Sequence, residues 1–193
     1  MKSLTTAFIT ISLALTTFLF SAIASASAGN TTPQWLTWQS VGYAKLTWGP
    51  WDIYHSELRT PSGSYSGNAA SGEQNMALVI RYQRDIDKDD LLEATDDQWK
   101  HLGFSVSQRQ QWLSELAVLW PDVKKGDRLI FELNAQGGTF YFDANAKHAT
   151  NKQGIIQLGQ LSSPKVSSAF INIWLSPQTA YPKLRQQLIG QSS

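Results

Sequence analysis

Between residues 35 and 60 apolar and polar positions alternate with a period of two, the pattern of half-buried strands. "WLTWQSVGYAKLTW" and "WDIYHSELRT" are two such runs, joined by a Gly49-Pro50 turn. In the second run Asp52, Tyr54, Ser56 and Leu58 fall on one face, and Trp51, Ile53, His55 and Glu57 on the other. A polar loop of small residues, 61–74, leads into "MALVIRYQRDI". There Leu78, Ile80 and Tyr82 oppose Val79, Arg81 and Gln83, which places Arg81 at the surface or beside Glu57.

The period then lengthens. In "DKDDLLEATDDQWKHLG" Leu92, Thr95, Trp99 and Leu102 recur at helical spacing, and Gly103 stops the helix. Asp96 and Asp97 are expected on its solvent side. A second helix opens with Ser107 and Gln110 in capping-box positions, buries Trp112, Leu113, Leu116 and Trp120, and ends at Pro121. "RLIFELNA" and "TFYFDA" read as a hairpin turned at Gly137-Gly138, followed by a shorter extended piece near Ile155 and Ile156. Two helices close the chain. Ser163 caps the first, with Pro164 at its first position and Val166, Phe170, Ile173 and Trp174 as its apolar stripe. Thr179 begins the second, Leu184 and Leu188 anchor it, and Gly190 ends it. Strands, two helices, strands and two helices in that order predict an α+β domain: a largely antiparallel sheet with helices packed on one face.

The N-terminus changes the picture of where this domain works. Lys2, an apolar run from Ala7 to Ile23 and the small-residue stretch "SAIASASAGN" read as a signal peptide over residues 1–28, cleaved near Ala28. The domain is then 29–193, periplasmic or secreted, with no stable membrane anchor after cleavage. Losing Lys2 takes the formal net charge from +1 to 0, so nothing in the charge points to nucleic acid. There is no cysteine, which excludes disulfides, thiolate chemistry and a lipoprotein anchor. Eight tryptophans, eight phenylalanines and six tyrosines supply either core or the wall of an apolar pocket.

Recognised chemical motifs are few. His55, His101 and His148 lie on different elements without metal spacing, and no metal or other cofactor is expected. "DIDKDD" has the opening of a calcium loop but Asp90 where that loop needs glycine, so its acids are read as favouring a helix N-terminus. "GSYSG" has Tyr65 where a hydrolase elbow needs its nucleophile.

"VGYAKLTW…WDIYHSEL", "QWKHLG", "WPDVKKGDRLIFEL" and "FINIWLSPQTAYPKLRQQLIG", in that order, carry a resemblance to the chalcone isomerase-like family, in particular its bacterial exported branch. The resemblance implies an open-faced β-sandwich with a cleft between sheet and helices that takes a flavonoid precursor or a fatty acid. It also implies where the plant isomerases keep their catalytic groups. The arginine's place falls on Ala44, with Lys45 one residue off and on the other face. The threonine's place falls on Tyr54, the last helix's hydroxyl place on Ile173, and residues 85–103 contain neither Tyr nor Asn. A site that loses its positioned cation loses the electrostatic stabilisation built on it. The expectation is therefore a non-catalytic protein binding a small apolar ligand, such as a fatty acid, along a wall of Tyr54, Tyr82, Trp99 and Trp174. Two alternatives stand beside it: an isomerase or intramolecular lyase acting on a chalcone-like phenolic enone, and an interaction module whose cleft is filled by its own side chains.

Overall fold

The computed structural model describes residues 33–67, 74–144 and 154–191, all within the unit Thr32–Ser193. The expected signal peptide, 1–28, and His148 lie outside the described residues. Six strands form one sheet in the order of the sequence: β1 (Gln39–Trp48), β2 (Trp51–Thr60), β3 (Met76–Tyr82), β4 (Arg128–Asn134), β5 (Gly137–Asp143) and β6 (Ile156–Gln160). Every neighbouring pair is antiparallel. Helices α1 (Lys88–His101) and α2 (Val106–Leu119) sit between β3 and β4, and α3 (Pro164–Leu175) and α4 (Pro182–Leu188) follow β6. This is the expected α+β arrangement.

Register explains which face the helices cover. Tyr54 pairs with Tyr82, Ser56 with Ile80 and Leu58 with Leu78; Leu78 and Ile80 continue onto Phe131 and Leu129, and Phe131 onto Phe140. These side chains share one face and are buried under the helices, the apolar ones in a single cluster with Trp112, Leu116, Val166, Phe170 and Leu188. Each fully buried Leu, Ile or Phe contributes about 1.5–3 kcal/mol, so this layer is what fixes the helices in place. The opposite face carries a smaller cluster in which Trp35 lies over Ala77, Val79 and Ile130.

Close backbone approach sets the position of α4. A Cβ on Gly42 of β1 would lie 2.1 Å from the carbonyl oxygen of Gln187 and 2.8 Å from that of Leu188. Only glycine lets α4 rest on β1 at this distance.

Local details differ from the sequence reading. Gln34–Thr37 is a 3₁₀ helix, not strand, and strand begins at Gln39. The capping box of α2 uses Ser105 and Gln108, two residues ahead of the expected pair: Ser105 Oγ accepts from the Gln108 amide while the Gln108 side chain accepts from the Ser105 amide. The β4–β5 turn is Ala135-Gln136, because Asn134 pairs with Gly137. Gly138 is instead a contact position, where a Cβ would fall 2.2 Å from the Phe131 ring. Thr179 precedes α4; its hydroxyl donates to the Ile173 carbonyl and stitches the end of α3 to the segment before α4.

Ion pairs also fall differently. Asp96 does not face solvent alone but pairs with Arg109, which is 8% exposed and also donates to the Phe104 carbonyl, tying α1 to α2. Glu57 pairs with Arg59, two residues along its own strand, and Arg81 takes the other of its two expected placements, exposed at the surface, where it donates to the Gly126 carbonyl. Arg59 shares the face of Glu57 as its i, i+2 neighbour, whereas Arg81 stands opposite His55, one pair further along the ladder.

Candidate functional site

A cavity of about 140 Å³ lies between the sheet and helices α1 and α3. Its floor is Leu46, Tyr54, Ile80, Tyr82 and Leu129 from four adjacent strands, the face set by the register above. α1 contributes Leu91, Ala94, Thr95 and Gln98, which return every three or four residues and so form one side of the helix. Phe170, Ile173 and Trp174 of α3 supply the opposite wall, closed by Trp120 and Tyr181.

One lining residue arrives through an irregularity. Leu46 pairs with Tyr54 but Thr47 pairs with Asp52, leaving Ile53 as the extra residue of a β-bulge. Strict alternation would send Ile53 to the far face; the bulge turns it into the cavity beside Tyr54.

The cavity has an inner end and a mouth. Tyr54 and Tyr82 are 8% and 5% exposed, with their rings edge to face at 6.3 Å. Leu46, Ile53, Ile86 and Leu91 are partly exposed, and Asp90 and Ala94 are exposed, so the opening lies between the β1–β2 hairpin and the first turns of α1.

Polar groups are sparse and specific. Trp174 Nε1 donates to the Tyr54 hydroxyl at 2.9 Å, so that oxygen acts as acceptor and keeps its own proton to donate. Tyr82's hydroxyl makes no hydrogen bond to a described residue. Burial raises the pKa of Tyr54 well above its usual value; the Trp174 bond offsets part of this and Tyr181 adds to it. Burial raises Tyr82 likewise, with a further contribution from Tyr54. Both phenols therefore stay protonated donors throughout the physiological range. Nearer the mouth Gln98 Nε2 donates to the Tyr181 hydroxyl at 3.2 Å, and Thr95 returns its proton to the Leu91 carbonyl.

No arginine or lysine lines the cavity among the described residues. Ala44, at the place the resemblance gives to arginine, is buried; Lys45 lies on the opposite face and pairs with Asp52 at 2.7 Å. Asp90, exposed at the mouth, is the only charged residue of the lining among the described residues. No group of three or more His, Asp or Glu side chains is placed to hold a metal among the described residues.

Of the four residues singled out in the sequence, Tyr54, Tyr82 and Trp174 meet in this cavity and Trp99 does not. Trp99 is wholly buried, donates its indole N–H to the Ala169 carbonyl at 2.9 Å and packs edge to face on Trp112. It lies about one residue's rotation round α1 from Gln98, enough to aim it at α3 instead of the cavity. Gln98 and Tyr181 were not singled out, and Thr95 was named only as part of the helix's buried stripe. The 91–94–98 spacing carried a signal for Gln98, hidden by the stronger stripe through Thr95 and Trp99.

No family model matches the chain. It is 28% identical, over 156 residues, to an uncharacterized protein of Haemophilus influenzae, a match covering 80% of this chain and 69% of that one. Among solved structures, a fatty-acid binding protein of Arabidopsis thaliana superposes with a TM-score of 0.54 at 10% identity, covering 80% of this chain and 87% of that one. The likeness establishes the fold: an α+β domain of chalcone isomerase-like type, its six-stranded antiparallel sheet covered by four helices.

Proposed function

We propose that this protein is a non-catalytic binder of a small apolar ligand whose polar head accepts hydrogen bonds, a fatty acid in its neutral form or a molecule of equivalent shape. The observation that carries the reading is the pairing of two phenol donors with an otherwise apolar, cation-free inner end. A carboxylate brought there would lose its hydration without gaining a counter-charge, whereas a protonated acid, ester or ketone loses little and gains hydrogen bonds. The fatty-acid binding neighbour of the same fold supports the ligand class.

Size narrows it. An apolar cavity of roughly 150 Å³ takes a benzene-sized guest, and drug-sized ligands use about 300–1,000 Å³. The cavity here, about 140 Å³, encloses a ring or the first several carbons of a chain. A longer chain enters head first and leaves its tail in the mouth between Leu46, Ile53 and Leu91.

Native mass spectrometry of the purified protein, followed by thermal-shift titration with fatty acids of graded length and their methyl esters, tests this. Binding of short and medium chains, weakened in Tyr82→Phe, supports the reading. Preparations that stay empty and do not respond to any chain length overturn it. Turnover of a chalcone panel, lost in Tyr54→Phe, would replace it with an isomerase. We also propose export, on the sequence of residues 1–28 alone; a mature N-terminus at Gly29 by intact-mass measurement supports it, and retention of Met1 on the folded protein contradicts it.

A further inference from the structure

We infer that the tip of the β1–β2 hairpin docks on a lipid bilayer surface through Trp48 and Trp51. These two indoles are 76% and 62% exposed, and neither belongs to a buried cluster. They pair directly across the Gly49-Pro50 turn, so they stand together at the end of the hairpin.

Their orientation follows from the bulge. Lys45 lies on the face away from the cavity, and Asp52 reaches it at 2.7 Å, so Asp52 is turned to that face too. Alternation then turns Trp51 to the cavity side with Ile53, and Trp48 to the same side with Leu46. The tryptophans thus prolong the cavity-side surface beyond its own rim. A bilayer touching the tip meets the mouth at the same time.

The chemistry favours lipid over a protein partner. Tryptophan concentrates at membrane–water interfaces, where an apolar ring and an N–H are both satisfied. The two indoles at the tip expose roughly 300 Å² between them, well short of the ~800 Å² that each side of a stable protein interface buries. Neighbouring charges balance: Trp51 shares a shallow groove with Arg84 and Lys125 but also with Asp52 and Asp85. Docking is therefore carried by indole insertion and does not need anionic lipid. Delivery of ligand from bilayer to cavity rests on the binding function proposed above; docking itself does not.

The test uses the full chain with unilamellar vesicles of phosphatidylcholine, plain or brominated at shallow acyl positions, and a second set containing equal phosphatidylglycerol. Quenching of tryptophan emission by brominated lipid reports on the tip because Trp48 and Trp51 are exposed while the other six tryptophans are buried or half-buried, and residues 1–32 contain no tryptophan. The expected result is quenching on both vesicle types, little changed by salt, and lost in Trp48→Ser/Trp51→Ser with a partition at least about tenfold weaker. An unquenched wild type overturns the inference. So does quenching kept in the double variant, quenching that requires phosphatidylglycerol and collapses in salt, or a concentration-dependent dimer that the double variant abolishes. Thermal-shift titration with octanoic acid on the same double variant separates the two proposals: ligand binding kept while quenching is lost shows a tip that docks and a cavity that binds independently. Quenching in the wild type with no response to any fatty acid leaves docking standing and removes the cavity's proposed function alone.

Discussion

Two tyrosines that look interchangeable in the sequence should respond oppositely to loss of their hydroxyls. In Tyr54→Phe the buried Trp174 indole loses the acceptor 2.9 Å away, while its N–H stays sealed under α3. A buried donor left without a partner costs about 1–3 kcal/mol. Tyr82→Phe removes a hydroxyl that bonds to no described residue, so the change leaves stability within about 0.5 kcal/mol or raises it slightly. Urea denaturation followed by circular dichroism resolves the difference: at ordinary slopes a 2 kcal/mol loss lowers the midpoint by about 1 M. For a domain of this size it also lowers Tm by about 4–8 °C. A double-mutant cycle with Trp174→Phe isolates the bond, because removing donor and acceptor together should restore about 1 kcal/mol relative to the sum of the single losses. Equal destabilisation by Tyr54→Phe and Tyr82→Phe, or a cycle with no coupling, would refute the assignment of the two hydroxyls at the inner end of the cavity.

Other consequences can be checked with the same instruments. Gly42→Ala drives a methyl to within 2.1 Å of the Gln187 carbonyl, so α4 must lift from β1; a loss of about 1–3 kcal/mol is expected, and a change under about 0.5 kcal/mol would contradict the close packing. Glu132, 3% exposed on the opposite face, has a carboxyl pKa raised above 4.5 by burial, offset in part by its hydrogen bond with Tyr141. Its folded form holds the proton more tightly than the unfolded chain does, so the contribution of Glu132 to stability is greatest below pH 4.5 and falls as pH rises through the interval up to the raised value. Glu132→Gln, which cannot ionise, should therefore be more stable than the wild type at pH 7, with the advantage shrinking towards pH 4; an advantage independent of pH would rule out ionisation as its source.

Much of the fold was legible because its signals are local and strong. The period-two run through Tyr54, Ser56 and Leu58, and the stripe Val166, Phe170, Ile173 and Trp174, each name one buried face, and burial enforces both. What escaped depends on tertiary placement. Ser105 and Ser107 both precede plausible helix starts, and only the reciprocal bonds with Gln108 decide between them. Trp35 reads as strand, yet its burial on Ala77, Val79 and Ile130 draws its segment into a 3₁₀ turn. The site was half legible. Alternation put Tyr54 and Tyr82 on one face, but Ile53 needed an unforeseeable bulge, and Trp99 could not be told from Gln98 without knowing how α1 is rotated over the sheet.

The pH dependence of acid binding tests most directly whether a cation-free cavity takes a neutral head. Isothermal titration of octanoic acid and methyl octanoate at pH 5 and pH 8 is the measurement. With two protonated phenols and no basic residue at the inner end, the acid's affinity should fall by roughly two to three orders of magnitude between those values while the ester's stays constant. Octanoate bound as tightly at pH 8 as at pH 5 would mean that the charged head has found a partner, and the account of the site would be wrong.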